Sequence, residues 1–403
     1  MASVLARSRF SRLLLLLLVV GLTGLLLFFS RGGDSGSTNG DATQAPAGPF
    51  VKSETASSPF GVTASNLSKG LTATQLAGQR IVTGFNGRTV PPVIRRQIRA
   101  GLIGGVILFS ANLGSDRQIV RLTRSLQRIA RPEGLRRYPL MVMVDQEGGL
   151  VKRLPGAPNA SAEQMGARGA AYSRRQGALT GLNLKTSGFN VDLAPVLDVA
   201  RPGGVIADTG RGFGSTVRKV NDTAIRFANA LQRTGVAATA KHFPGLGAAR
   251  ENTDFAVQRI RLSKAALRKV DMAPYEIFAA NRGKLVMVGS AIYPAFGPRP
   301  AMFEPKIVRG ELRQRLGFQG VTITDAMGAA AVTSYAGIAR AAILGARAGM
   351  DILLYGDWQS ASKGRVAIAS RLRSGKLPRG QFTRAANRTL QLRAGLPTGK
   401  PGS

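Results

Sequence analysis

The chain has 403 residues and is strongly basic, with 56 Lys+Arg against 21 Asp+Glu and a formal net charge of +35. It contains no cysteine and one histidine, which excludes disulfides and thiolate metal sites and argues against a conventional zinc centre. The charge implies attraction to polyanions, yet the basic residues are dispersed and no aromatic-interleaved basic motif stands out, so no specific nucleic-acid partner is expected.

In chain order, Arg7, Arg9 and Arg12 precede an uninterrupted apolar run from Leu13 to Phe29. At about 1.5 Å per residue the run covers roughly 26 Å, near the lower limit for spanning a bilayer. No small-x-small cleavage site follows it. Residues 1–30 therefore read as a membrane signal anchor, with the arginines in the cytoplasm and the rest outside the cell. A cleaved signal peptide, giving a secreted protein, is the alternative. Residues 31–64 are rich in Gly, Ser, Thr, Ala and Pro without apolar periodicity, and read as a flexible linker.

Residues 65–395 then alternate apolar strands with amphipathic helices, and 396–403 read as a tail. Strands are expected at 81–85, 106–109, 140–145, 189–195, 236–242, 285–290, 321–325 and 351–355. Helices are expected between them, for instance at 115–131 and 335–349, and closing helices within 356–395. Eight repeated βα units predict a (β/α)8, TIM-type α/β barrel, with a doubly wound open sheet as the alternative. Asp145, the pair Lys241-His242, and Asp325 all fall at C-terminal strand ends, the rim where barrel chemistry occurs, and this favours the barrel.

Each of these residues has a structural reading beside a chemical one. Asp325, ending Ile323-Thr324-Asp325, could cap the next helix or serve as a carboxylate nucleophile. Asp145 precedes a double-glycine turn, Gly148-Gly149, that permits close backbone approach to a ligand. Glu147 reads as the partner of a nearby arginine. His242, a lone histidine on a core strand, could be structural, but beside Lys241 and before the Pro244-Gly245 turn it reads as functional. Asp254 and Glu251 sit in a polar loop, where the plain reading of an acid is a solvated one.

The stretch Lys241-His242-Phe243-Pro244-Gly245 resembles the KHFPG signature of glycoside hydrolase family 3, in particular the bacterial β-N-acetylglucosaminidases. Further stretches agree in order: Gly104 to Phe109, Val144-Asp145-Gln146-Glu147-Gly148-Gly149, Leu193 to Asp198, Arg211-Gly212-Phe213-Gly214, and Gly320 to Met327. The resemblance spans about residues 65 to 395 and implies the family's N-terminal barrel domain, with no sandwich domain after it. It implies Asp325 as nucleophile, with Asp145, Arg153, Arg211, Lys241 and His242 binding the sugar.

The resemblance breaks at the proton donor. The family's loop Asp-x-His pair falls on Asn252 and Asp254, the histidine inside its PGHG becomes Leu246, and a sixth-strand histidine becomes Ser290. Leu150 stands where the family commonly has arginine. Asp254 is thus the expected carboxylic acid/base, with Glu251 second. The function expected is an exported retaining β-glycosidase hydrolysing β-N-acetylglucosaminides of cell-wall or other glycans. The alternative is a catalytically impaired sugar- or wall-binding protein on the same barrel. The partner is a carbohydrate, with the membrane reached through the N-terminal segment; no cofactor is expected, and oligomeric state is unknown.

Overall fold

The computed structural model of the protein describes residues 67–398. The expected eight strands form as β1 (Ile81–Thr83), β2 (Gly105–Ile107), β3 (Met141–Val144), β4 (Val191–Asp192), β5 (Ala237–Phe243), β6 (Leu285–Val288), β7 (Val321–Thr324) and β8 (Leu353–Tyr355). Each pairs in parallel with the next, and β1 pairs with β8. A parallel bridge between Ile323 and Ile352 joins β7 to β8 and closes the ring. The open-sheet alternative is thereby replaced by a barrel.

The strands read as continuous apolar runs because both of their faces are buried. Val82, Ile107, Met141, Met143, Leu285 and Ile323 fill the interior, while Val106, Val142, Val144, Ala238 and Val286 face the surrounding helices. The helix Asp116–Arg128 shows why the outer layer forms. Its N-cap Ser115 accepts from the Gln118 amide, and Ile119, Leu122, Thr123 and Leu126 form the buried stripe at helical spacing.

Boundaries differ from expectation by a few residues. The longer of the two helices after β7, expected at 335–349, starts at Ile338 and ends at Ala348, where Gly349 takes φ 106° as a left-handed cap. Strand β4 is short because Asn190 bonds the β3 backbone through its side chain, to Val142 N at 2.8 Å and Leu140 O at 2.9 Å. The crossover from β6 to β7 is a π-helix, Lys306–Arg315, which the sequence does not announce. The closing helices are Trp358–Arg373 and Arg379–Ala394. Leu396, placed in the tail by sequence, is buried in the barrel's interior cluster. The expected anchor and nearly all of the expected linker lie outside the described residues.

The N-terminal end of the barrel is closed by buried arginines. The Arg80 guanidinium donates to Met350 O at 2.6 Å and lies 4.1 Å over the Phe382 ring. Asp351, with no exposure, accepts from Arg313 Nη2 at 2.5 Å, Arg388 Nη2 at 2.7 Å and Thr322 N at 2.9 Å. Burial alone would raise the Asp351 pKa, but the Arg388 and Arg313 guanidiniums and these hydrogen bonds hold it below the usual range.

A depressed carboxylate stabilises the fold above its unfolded pKa and loses that contribution as pH falls. Asp351→Asn should therefore cost about 3 kcal/mol at neutral pH, and the difference from wild type should shrink on acidification. Urea unfolding at pH 7 and pH 4 measures both; equal midpoints at pH 7 would remove Asp351 from this role.

Candidate active site

At the opposite end, the strand termini surround a cavity of about 270 Å³. Asp145, Arg153, Arg211, Lys241, His242, Asp254 and Asp325 all line it. All seven residues singled out by sequence are therefore brought together, from five separate segments of chain.

Strand β5 delivers Lys241 and His242 together. Consecutive strand side chains normally point to opposite faces, but the β5–β6 register shifts between Ala240 and Phe243, and both side chains reach the cavity. Lys241 Nζ lies 2.8 Å from Asp145 Oδ1 and 2.6 Å from Glu147 Oε1. Arg211 grips the same glutamate with Nε at 2.9 Å and Nη2 at 2.8 Å. Burial opposes ionisation of Glu147, but the Lys241 and Arg211 charges outweigh it and hold the carboxyl far below the usual range. Glu147 is thus a permanent anion that positions two cations.

Glu147 sits in a hairpin, Gln146–Gly148 against Val151–Lys152, whose turn requires glycine. Gly148 has φ 94°, and a Cβ there would lie 2.2 Å from Ala160 O. His242 is held from behind by buried Asp198, whose Oδ2 is 2.7 Å from Nδ1. Asp198 Oδ1 also accepts from the backbone amides of His242 at 3.1 Å and Leu246 at 2.7 Å. The bond at Nδ1 leaves the Nε2 edge of the ring for the cavity. Arg153 forms no ion pair among the described residues, and its buried Nε has no hydrogen-bond partner.

Asp325 continues β7, its amide donating to Val288 O at 3.0 Å. Its Oδ1 accepts from Ala326 N at 2.8 Å and its Oδ2 from Ser290 Oγ at 3.1 Å. The following helix, Ala330–Thr333, is preceded by Ala329 at its N-cap and has no side-chain cap bond. Asp325 is therefore not a helix cap. Ser290, at the end of β6, orients a carboxylate oxygen instead.

Asp254 lies on the loop after β5. Its Oδ2 accepts from Asn252 Nδ2 at 3.2 Å, and its backbone oxygen accepts from Ala330 N at 3.0 Å. Burial of the carboxyl in the mouth, and then the Asp325 charge, push its pKa up against the pull of the Asn252 hydrogen bond. The residue is exposed, so solvent screens part of this effect. Glu251 is exposed and does not line the cavity. Leu150 and Phe255, each beside a lining residue, are 75% and 82% exposed and make the rim apolar.

Sequence reasoning gave no role to Asp198 or Asp192. Asp198 could have been found from Leu193-Ala194-Pro195-Val196-Leu197-Asp198, an acid closing an apolar stretch. Asp192 is buried within β4, its Oδ1 accepting from Gln146 N at 3.0 Å while Oδ2 has no partner. Burial pushes its pKa well above the usual range. With Asp192 neutral, Lys241 and Arg211 balance Asp145 and Glu147.

A raised carboxyl contributes stability below its unfolded pKa and loses it as pH rises toward the folded pKa. Asp192→Asn, a neutral isostere, should thus raise the thermal midpoint relative to wild type more at pH 8 than at pH 4. A difference independent of pH between those values would show that Asp192 is ionised in the fold.

The sequence profile of the glycosyl hydrolase family 3 N terminal domain matches residues 78–392. An uncharacterised secreted glycosyl hydrolase of Arthroderma benhamiae is 35% identical over 332 residues, covering 79% of this chain and 93% of that protein. A β-hexosaminidase of Thioalkalivibrio sulfidiphilus is 34% identical over 68% of this chain and 79% of its own. The crystal structure of β-N-acetylhexosaminidase from Beutenbergia cavernae superposes with TM-score 0.74 at 30% identity, over 80% of this chain and 98% of that one. With a closed barrel and all the sequence-selected residues around one cavity, the chain belongs to glycoside hydrolase family 3 and is a glycosidase.

Proposed function

We propose that the protein is a retaining β-glycosidase that removes a terminal β-linked N-acetylglucosamine, with Asp325 as nucleophile and Asp254 as acid/base. The observation that carries this reading is the sharing of one cavity by two carboxyl groups in unlike environments. Asp325 is aligned by two hydrogen bonds, while burial and the Asp325 charge raise the Asp254 pKa. Two carboxyls set apart in this way divide the nucleophilic and acidic roles. The binding reading without catalysis gives no reason for that division.

In the first step an Asp325 oxygen attacks the anomeric carbon as the bond to the leaving oxygen breaks. Asp254 transfers its proton to that oxygen. In the second, the Asp254 carboxylate takes a proton from water, whose oxygen displaces Asp325 and frees the sugar. Asp145, Lys241, Arg211 and His242 supply charged and neutral hydrogen-bond partners for hydroxyls, and Arg153 offers an uncommitted guanidinium. A cavity of about 270 Å³ suits one sugar ring. The N-acetyl preference follows the named hexosaminidase relatives. With Leu150 and Phe255 at the rim, the aglycone meets an apolar edge. Export is supported by the arginine-flanked apolar run at 13–29 and by the relative named as secreted.

The test uses aryl β-N-acetylglucosaminides with good and poor leaving groups. Asp325→Asn should lower kcat at least ~1,000-fold with both; full activity would sink the nucleophile assignment. Asp254→Ala should lose ~100-fold or more with the poor leaving group while keeping fast glycosylation with the activated phenol. Equal losses with both would remove Asp254 as the acid.

The acid must be protonated, so wild-type kcat/KM should fall as pH rises through Asp254's raised pKa. This limb should be absent from Asp254→Ala acting on the activated phenol. Proton NMR of the first-formed sugar should show the β-anomer; the α-anomer would exclude retention.

A further inference from the structure

The strands are parallel, so every loop entering a strand lies at one end of the barrel, opposite the cavity. That end is basic. Lys69, Arg99, Arg136, Arg137, Arg282 and Lys376 lie at this end, all exposed, and none forms an ion pair among the described residues. Within the described loops that lead into strands, Glu133 is the exposed acid, while Asp351 is buried and shared by Arg313 and Arg388. Cations in the last turn of a helix offset its dipole, which accounts for Arg99. Lys69, Arg137, Arg282 and Lys376 lie outside helices, so the dipole does not explain them.

A cavity of about 350 Å³ opens on the same side between the helices Lys306–Arg315 and Arg379–Ala394. Arg309, Arg313, Arg384 and Arg388 line it, an excess of cation over the one carboxylate that Arg313 and Arg388 share.

The chain also joins the barrel at this end. Leu67 and Leu71 pack against Leu135, Tyr138 and Leu390, and Tyr138 Oη donates to Leu67 O at 3.4 Å. Arg136 and Arg137 are therefore neighbours of the point from which residues 1–66 depart. The arginine-flanked apolar run at 13–29 belongs to that segment.

We propose that the basic end of the barrel, around Lys69, Arg136, Arg137, Arg282 and Lys376, is a docking surface for an anionic phospholipid bilayer. Docked in this way, the sugar cavity faces away from the lipid, and the arginine-lined cavity receives a headgroup phosphate. The inference rests on the export reading for the presence of a bilayer beside this face, and on the charge distribution for the rest.

The absence of cysteine makes the test direct. In the full chain, one fluorophore is placed through Gly134→Cys beside the basic end, where an added Cβ meets only Leu71 Cδ2 at an ordinary 3.6 Å. Another is placed through Leu150→Cys at the rim of the sugar cavity. Each protein is mixed with vesicles of pure phosphatidylcholine or of phosphatidylcholine containing phosphatidylglycerol, and both sedimentation and quenching by lipid-borne nitroxides are read.

The label at residue 134 should be quenched on the anionic vesicles and released by salt, and the label at residue 150 should be quenched on neither. In the full chain, Arg136→Glu with Arg137→Glu should cut the preference for anionic over neutral vesicles at least ~100-fold. Aryl glycosidase activity should be unchanged in that double variant, which separates failure of docking from failure of the glycosidase reading. Equal quenching at residue 134 on both lipids, stronger quenching at residue 150, or sedimentation with neither vesicle would overturn the proposal. So would displacement from the anionic vesicles by single-stranded nucleic acid at equal phosphate, which would mark a general polyanion surface.

Discussion

The 2.6 Å contact between Lys241 Nζ and Glu147 Oε1 is the interaction on which the cavity depends. Both groups are almost entirely withdrawn from solvent, with side-chain exposures of 3% and 2%. Charges in that environment are tolerable only when each is matched and hydrogen-bonded. Glu147 comes from the hairpin after β3, Lys241 from the end of β5, and Arg211 from the loop after β4. None of the three can be buried alone, so the three segments are held in one relative position. The same economy applies to His242, where one buried carboxylate, Asp198, fixes the ring and two backbone amides of the turn that follows.

This arrangement gives the cavity two walls of different character. One wall carries the matched charges of Asp145, Glu147, Lys241 and Arg211, with Arg153 beside them outside any ion pair among the described residues. The other wall carries two carboxyls, of which Asp325 is aligned by Ser290 and the Ala326 amide, and Asp254 rides on a loop. That loop is tied to the next crossover by Ala330 N to Asp254 O and Ala331 N to Thr253 O, at 3.0 and 3.2 Å. Asp254 is thus tied to the segment that follows Asp325 although the two belong to different βα repeats. Burial in the mouth and the nearby Asp325 charge raise the pKa of the Asp254 carboxyl.

A parallel barrel also sorts charge between its ends. Carboxylates of the site collect where the strands finish, and the far end is closed by arginines whose planar groups satisfy backbone carbonyls. Arg393 illustrates the second use, donating to Pro139 O at 2.8 Å and Tyr138 O at 3.0 Å while wholly buried. Without a carboxylate beside it, burial lowers its pKa to about 9. It is held by hydrogen bonds to neutral acceptors rather than by a counter-charge.

Much of this was legible in the sequence, because the signals are local. Apolar runs such as Leu285 to Val288 and Val321 to Thr324 are buried on both faces and read as barrel strands without knowledge of their neighbours. An acid or cation directly after such a run falls on the active rim by topology alone, which is why Asp145, Lys241, His242 and Asp325 could be chosen. Residues on long loops, such as Asp254 and Arg211, carry no periodic signal and depended on resemblance. Asp325 could be read as a helix cap until the helix was seen to begin five residues later.

By itself, then, the sequence determined the number of strands, their order and the side chains presented at their ends, since periodicity and turn residues act over a few positions. Only the tertiary structure decided which charges meet. Lys241 and Asp145 are 96 residues apart, Arg211 and Glu147 are 64, and Asp325 and Ser290 are 35. Pairings over such separations arise from closure of the ring and from the cost of leaving a buried charge unmatched, and neither is written in any one stretch of chain.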